Sequence, residues 1–238
     1  MNSMHTSPII VALDYEQPHL AMEAAQRLNP QHCQVKIGIG LYTRAGPGIV
    51  EQLMKLGFKV FLDLKFHDIP NTVAMACQAA ADLGVWMLNV HCLGGERMLE
   101  QACAAVQTHK NPPILLGVTV LTSMDGADLN QIGIAIDPAP MVVRLAKLAQ
   151  QAGLDGVVCS AQEARLLHEQ CGNEYILVTP GIRLEKTADD QRRVTTPAQA
   201  IENGAHYLVI GRPILRADNP DRVLQQIYQE VAHAQAKR

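Results

Sequence analysis

The chain is poor in aromatic side chains: one Trp, five Tyr and three Phe make up 4% of its 238 residues. Proteins that bind single-stranded nucleic acid stack bases on such rings, and here there is little to build a platform from. Neither sign of charge prevails. Twenty Lys and Arg stand against 23 Asp and Glu, a net charge of −3, which argues against a basic nucleic-acid footprint and a polyanionic tail. The six cysteines (Cys33, Cys77, Cys92, Cys103, Cys159 and Cys171) form no Cys-x-x-Cys pair and read as reduced, packed thiols. No run of about 18 uncharged apolar residues is long enough to span a membrane. Residues 1–7 lack the charged start and apolar run of a signal peptide. The expected setting is the cytoplasm, with residues 1–7 as a disordered or extended tail ahead of one domain, 8–238.

What is present is alternation. Short β-branched runs at 9–14, 34–38, 59–65, 86–91, 114–119, 156–160, 175–179 and 207–211 are separated by apolar periodicities of helical spacing, such as Val142, Leu145, Ala146, Leu148 and Ala149. The runs are apolar at nearly every position, as parallel strands covered by helices require. Eight strand–helix units of about 30 residues each fit the length. Four units share one mark, a Gly between helix and next strand: Gly57, Gly84, Gly153 and Gly204, each suited to a left-handed helix end. No linker interrupts the series. The expected fold is a single-domain α/β (β/α)8 TIM barrel, with an open doubly wound sheet as the alternative. Two longer loops are expected at 122–138 and 181–196. The second follows strand seven, where barrel enzymes commonly hold phosphate.

Charge on the core strands marks the site. In Val60-Phe61-Leu62-Asp63-Leu64-Lys65-Phe66-His67-Asp68, side chains alternate across the strand. Val60, Leu62 and Leu64 face the helices, which turns Phe61, Asp63 and Lys65 toward the barrel axis. Removing such ions from water costs several kcal/mol each, in rough terms, unless they are paired and hydrogen-bonded. Lys36, between Val35 and Ile37, repeats the anomaly, and strand one ends on Asp14. Asp14, Lys36, Asp63 and Lys65 thus gather near the strand ends as a functional cluster or a buried ion network. Asp68 precedes Ile69-Pro70-Asn71-Thr72, and the residues alone leave open whether it caps that helix or serves the site. At the other side, Gly211 at the tip of strand eight allows close backbone approach, and Arg212 offers a fork matched to phosphate.

These segments, with Val35-Lys36-Ile37-Gly38, Leu121-Thr122-Ser123, Thr179-Pro180-Gly181-Ile182-Arg183 and Ile210-Gly211-Arg212-Pro213, closely resemble the orotidine 5′-phosphate decarboxylase family, which makes UMP from OMP in pyrimidine biosynthesis. The Asp-x-Lys-x-x-Asp-Ile-Pro-Asn-Thr stretch is the specific part. The resemblance implies a homodimeric barrel with no metal and no organic cofactor, acting on a nucleotide; the composition adds the expectation of neither a nucleic-acid nor a membrane partner. It implies Lys65 as proton donor to C6 within a Lys36–Asp63–Lys65–Asp68 array, with Asp68 and Thr72 reaching across from the partner subunit. Asp14 would bind a ribose hydroxyl, Thr122 and Ser123 the pyrimidine, and Gln191, Gly211 and Arg212 the phosphate. Arg183 would begin a loop, 183–196, that closes over it.

Three other functions would use charged residues at these strand ends. In a metal-dependent sugar-phosphate decarboxylase similar to the 3-keto-L-gulonate 6-phosphate enzyme, the place of Lys36 is typically a carboxylate that supports Mg²⁺, and a lysine repels such a cation. A Schiff-base aldolase needs a neutral amine, which flanking carboxylates oppose. A non-catalytic nucleotide binder would keep Arg212 and have no need of Lys36, Asp63 and Lys65 together. Gly38-Ile39-Gly40 lacks the third glycine of a dinucleotide fingerprint. His67, His91 and Cys92 match no zinc spacing, and His91 reads as a hydrogen-bonded structural histidine.

Overall fold

A computed structural model describes residues 7–184 and 195–236. The strands are Ile9–Ala12 (β1), Gln34–Gly38 (β2), Val60–Phe66 (β3), Met87–His91 (β4), Ile114–Val118 (β5), Gly156–Val158 (β6), Ile176–Thr179 (β7) and Tyr207–Ile210 (β8). They pair in parallel, in chain order, and β8 returns to β1. This is the expected (β/α)8 barrel. All eight expected strands are found, and the four glycines proposed to end helices have φ of +91°, +77°, +89° and +111° at Gly57, Gly84, Gly153 and Gly204, the left-handed backbone that stops a helix without Cβ strain.

Strand parity divides the core in two. Val11, Val35, Ile37, Val60, Leu62, Leu88 and Val90 face outward and pack against helix residues such as Leu53, Cys77, Leu99 and Leu145. Ile10, Ala12, Phe61, Met87, Leu116, Val178 and Val209 fill the barrel itself. At the N-terminal mouth, Trp86 and Tyr207 meet edge to face at 5.2 Å, with the Lys59 ammonium 5.9 Å from the indole. That end is plugged, so access is from the C-terminal mouth.

The segment expected as a loop at 122–138 carries a short helix, Gly126–Gln131. Its start is a reciprocal cap: Asp125 accepts from the N–H groups of Ala127 and Asp128, and Asp128 accepts from the Asp125 N–H. Ser7 is buried, and its hydroxyl donates to the His32 carbonyl. Residues 1–6 of the expected tail lie outside the described residues. Among the described residues no helix is long and apolar enough to cross a membrane.

Candidate active site

The C-terminal mouth opens into a cavity of about 670 Å³. Its floor is apolar, from Ala12, Phe61, Val118, Val158 and Val209, and its walls are charged. Along one wall β1, β2 and β3 deliver a row of alternating sign. The Lys36 ammonium lies 3.3 Å from Asp14 Oδ1 and 3.1 Å from Asp63 Oδ2. Asp63 Oδ1 takes the Lys65 ammonium at 2.6 Å. Lys36 and Asp63 are buried, whereas the Lys65 side chain is 36% exposed and the Asp14 side chain 67%. The row therefore runs from solvent inward and back out, ending on an ammonium that faces the cavity.

Burial alone would make both inner charges costly. It would raise the Asp63 carboxyl, but Lys36, Lys65 and a hydrogen bond from Asn89 outweigh it and hold the pKa at about 2. It would lower the Lys36 ammonium, but Asp63 and Asp14 outweigh it and raise its pKa above the ordinary lysine value. Both groups are thus fixed in their charged forms at neutral pH. A divalent cation drawn to Asp14 and Asp63 would meet the Lys36 ammonium already between them.

Past β1, the ends of β7 and β8 add three arginines to the lining, Arg183, Arg212 and Arg216, with Pro180, Gly181 and Gly211. Arg183 is 7% exposed and donates through Nη1 to the Ile182 carbonyl at 3.0 Å. The ends of the loop after β7 are pinned, since Ile182 and Thr195 bridge and the Arg183 N–H donates to the Thr195 carbonyl at 3.2 Å. Thr122 also lines the cavity.

The structure thus brings together Asp14, Lys36, Asp63, Lys65, Thr122, Arg183, Gly211 and Arg212. Gln191 lies outside the described residues. Ser123 is not among the lining side chains. Asp68 and Thr72 are exposed and do not line the cavity of their own chain. Ile69, not Asp68, is the residue that flanks the helix Pro70–Asp82, and Asp68 Oδ1 accepts from the Ile69 N–H at 2.6 Å. The hydrogen bond expected of His91 is absent at Nδ1, which is buried without a partner among the described residues. Its ring lies 5.6 Å from that of His67.

Two residues escaped the sequence reading. Arg216 sits one turn beyond Arg212, and nothing in its local sequence separates it from a surface arginine. Asn89 is fully buried and donates to Asp63 Oδ1 at 2.7 Å. The signal for it was there, an amide at an inward position of the apolar run Met87-Leu88-Asn89-Val90, a residue type depleted in strands.

Comparison with known proteins identifies the family. A family model described as orotidine 5′-phosphate decarboxylase / HUMPS family matches residues 7–227. A protein of Alcanivorax borkumensis named orotidine 5′-phosphate decarboxylase is 56% identical over 228 residues, covering 95% of this chain and 99% of that one. Another of that name, from Nitrosococcus oceani, is 54% identical over 231 residues, covering 97% of this chain and 100% of its own. The crystal structure of orotidine 5′-phosphate decarboxylase from Lactobacillus acidophilus superposes with a TM-score of 0.85 at 38% identity, over 94% of this chain and 99% of that one. Sequence and barrel agree along nearly the whole length, and the chain belongs to the orotidine 5′-phosphate decarboxylase / HUMPS family.

Proposed function

We propose how this cavity carries out the decarboxylation of orotidine 5′-phosphate (OMP) to UMP in pyrimidine biosynthesis: without metal or organic cofactor, through a carbanion at C6 that Lys65 stabilises and protonates. The bond from C6 to the carboxylate breaks heterolytically, CO2 departs, and the electron pair stays on C6. That pair lies in the ring plane, where the π system cannot delocalise it. What lowers the barrier is positive charge held at that carbon before the bond breaks, with a proton to deliver. Lys65 Nζ supplies both and is recharged from solvent. Asp63 Oδ1, 2.6 Å away, receives that ammonium and holds it beside the cavity. Lys36 balances Asp63 and stands where an Mg²⁺-supporting carboxylate would be needed, which supports a metal-free reaction.

Asp14 is assigned to a ribose hydroxyl, Thr122 with Ser123 to the pyrimidine, and Gln191, Gly211 and Arg212 to the phosphate, with Arg183 at the start of the loop beside it. The arginines of the lining support the phosphate assignment. Charge-assisted hydrogen bonds contribute about 1.5–3 kcal/mol each, enough for a remote phosphate to anchor the ring while touching nothing that reacts. Asp68 and Thr72 are assigned to the neighbouring site of a homodimer. In support, they lie outside their own cavity, and Ile39, Ile69, Met75 and Leu93, in the helices that follow the adjacent strands β2, β3 and β4 or at their starts, are exposed, an apolar rim suited to a second copy. Buried, unpaired Cys33, Cys77, Cys92, Cys103 and Cys159 support a reducing, cytoplasmic setting.

The observation that carries the mechanism is the Lys36–Asp63–Lys65 row within 3.1 Å contacts. Its test is spectrophotometric loss of OMP with wild type and Lys65→Ala. The variant should lose at least about 10,000-fold in kcat while still binding UMP. Turnover within about tenfold of wild type would remove Lys65 from the proton-donor role.

A further inference from the structure

Beside the Lys65 ammonium, β3 and β4 fall out of step. Leu62 pairs with Leu88 and Phe66 with Val90, so Asp63, Leu64 and Lys65 all stand against the single residue Asn89. A bulge of this kind leaves backbone groups without ladder partners, and a buried N–H must find one elsewhere. Asn89 supplies it: Oδ1 accepts from the Lys65 N–H at 2.8 Å. Its Nδ2 donates to Asp63 Oδ1 at 2.7 Å, the same oxygen that receives the Lys65 ammonium. Lys65 is also the one non-glycine residue with positive φ, +51°, among the described residues. That conformation is strained for a side chain with a Cβ and persists where surrounding contacts hold it.

We propose that Asn89 is a positioning residue for the decarboxylation. Its carboxamide fastens the left-handed backbone of Lys65 and the carboxylate of Asp63 to one rigid point on β4, and so fixes the direction in which the ammonium meets C6. The inference rests on Lys65 as proton donor and deepens that reading. Asn89 is not among the side chains lining the cavity, so it acts through its two partners and not on the substrate.

The chemistry selects an amide. Acceptor and donor are needed on one short side chain, toward a backbone N–H on one side and a carboxylate on the other. An aspartate would set an acceptor and a second negative charge against Asp63. An alanine would take away the partner of the Lys65 N–H and one donor to the buried Asp63 carboxylate. The hydrogen bond to Asp63 is also one of the contacts that keep its carboxyl ionised.

The test uses the full-length enzyme with Asn89→Ala and Asn89→Asp, measuring kcat and KM for OMP from about pH 5 to about pH 9, UMP affinity and thermal midpoint. For Asn89→Ala, kcat should fall about 10- to 100-fold, with UMP affinity within about threefold of wild type. Asn89→Asp should be slower still at neutral pH and recover toward the alanine variant or better as acid protonates the introduced carboxyl, which then donates to Asp63. Wild-type kcat in Asn89→Ala, or equal losses of kcat and UMP affinity in both variants without recovery in acid, would overturn the proposal. If the alanine variant does not fold, the near-isosteric Asn89→Asp carries the test through its pH profile. Lys65→Ala in the same assay separates the two readings. An active Lys65→Ala removes the proton donor itself, whereas an inactive one beside an unaffected Asn89→Ala removes only the positioning role.

Discussion

At the scale of single residues, Asp63 concentrates the opposing forces of the site. Burial resists its charge, Lys36, Lys65 and Asn89 sustain it, and the balance moves its pKa from 3.8 to about 2. A carboxyl whose folded pKa lies below its unfolded one adds stability that is complete above the unfolded value and disappears as pH falls through the folded value. A shift of this size is worth about 2 kcal/mol. The difference in unfolding free energy between wild type and Asp63→Asn should therefore shrink by about 2 kcal/mol between about pH 5 and about pH 2, read from urea titrations. A difference that stays constant over that window would mean that Asp63 ionises alike in the folded and unfolded chain. The same variant should lose about 100-fold or more in kcat with UMP affinity largely kept. On the proposed mechanism the lost charge would orient the ammonium and, as a secondary effect, oppose the substrate carboxylate, since two anions about 4 Å apart repel by about 4 kcal/mol at an effective dielectric of about 20.

At the scale of elements, the barrel depends on how closely its staves approach. Gly156 on β6 sits in register with Ile176 on β7, and a Cβ there would collide with the Ile176 carbonyl and Cβ. The obstacle is largely backbone, which cannot rotate aside, so Gly156→Ala has to push β6 and β7 away from each other. A loss of about 1–3 kcal/mol is expected, seen as a lower urea midpoint at unchanged slope; an unshifted midpoint would mean the staves yield freely. In the sequence, Gly156 was legible only as the start of a strand, because the crowding comes from another strand. Asp63 and Lys65 were legible because a period of two sends alternate side chains to one face, and the unit boundaries because glycine alone takes the left-handed helix end cheaply. The bulge was not. Asp63, Leu64 and Lys65 stand opposite Asn89 alone, and register between strands is not written in either strand alone. Arg216 was illegible for a related reason, since its role depends on where a four-residue helix, Arg212–Leu215, turns.

At the scale of the whole molecule, barrel closure pairs β8 with β1, so that the ammonium row and the arginines share one mouth. The same closure leaves Asp68 and Thr72 outside it, at the start of a helix whose exposed face carries Met75 and adjoins exposed Ile69. If those residues complete the site of a second copy, activity belongs to the pair of chains, and two defective chains can repair one another. Lys65→Ala and Asp68→Ala should each be nearly inactive alone. Refolded together in equal amounts they form half mixed dimers, and in each mixed dimer one of the two sites combines an intact Lys65 with an intact Asp68. About a quarter of wild-type activity should return. Sedimentation at assay concentration should find the dimer, and Ile69→Lys, which sets a charge into the apolar rim, should weaken both association and turnover. A mixture no more active than the sum of its components would place Asp68 outside the reaction or return it to its own chain. A monomer with full kcat would remove the shared site altogether, because the ammonium would then be held by Asp63, Lys36 and Asn89 of one chain alone.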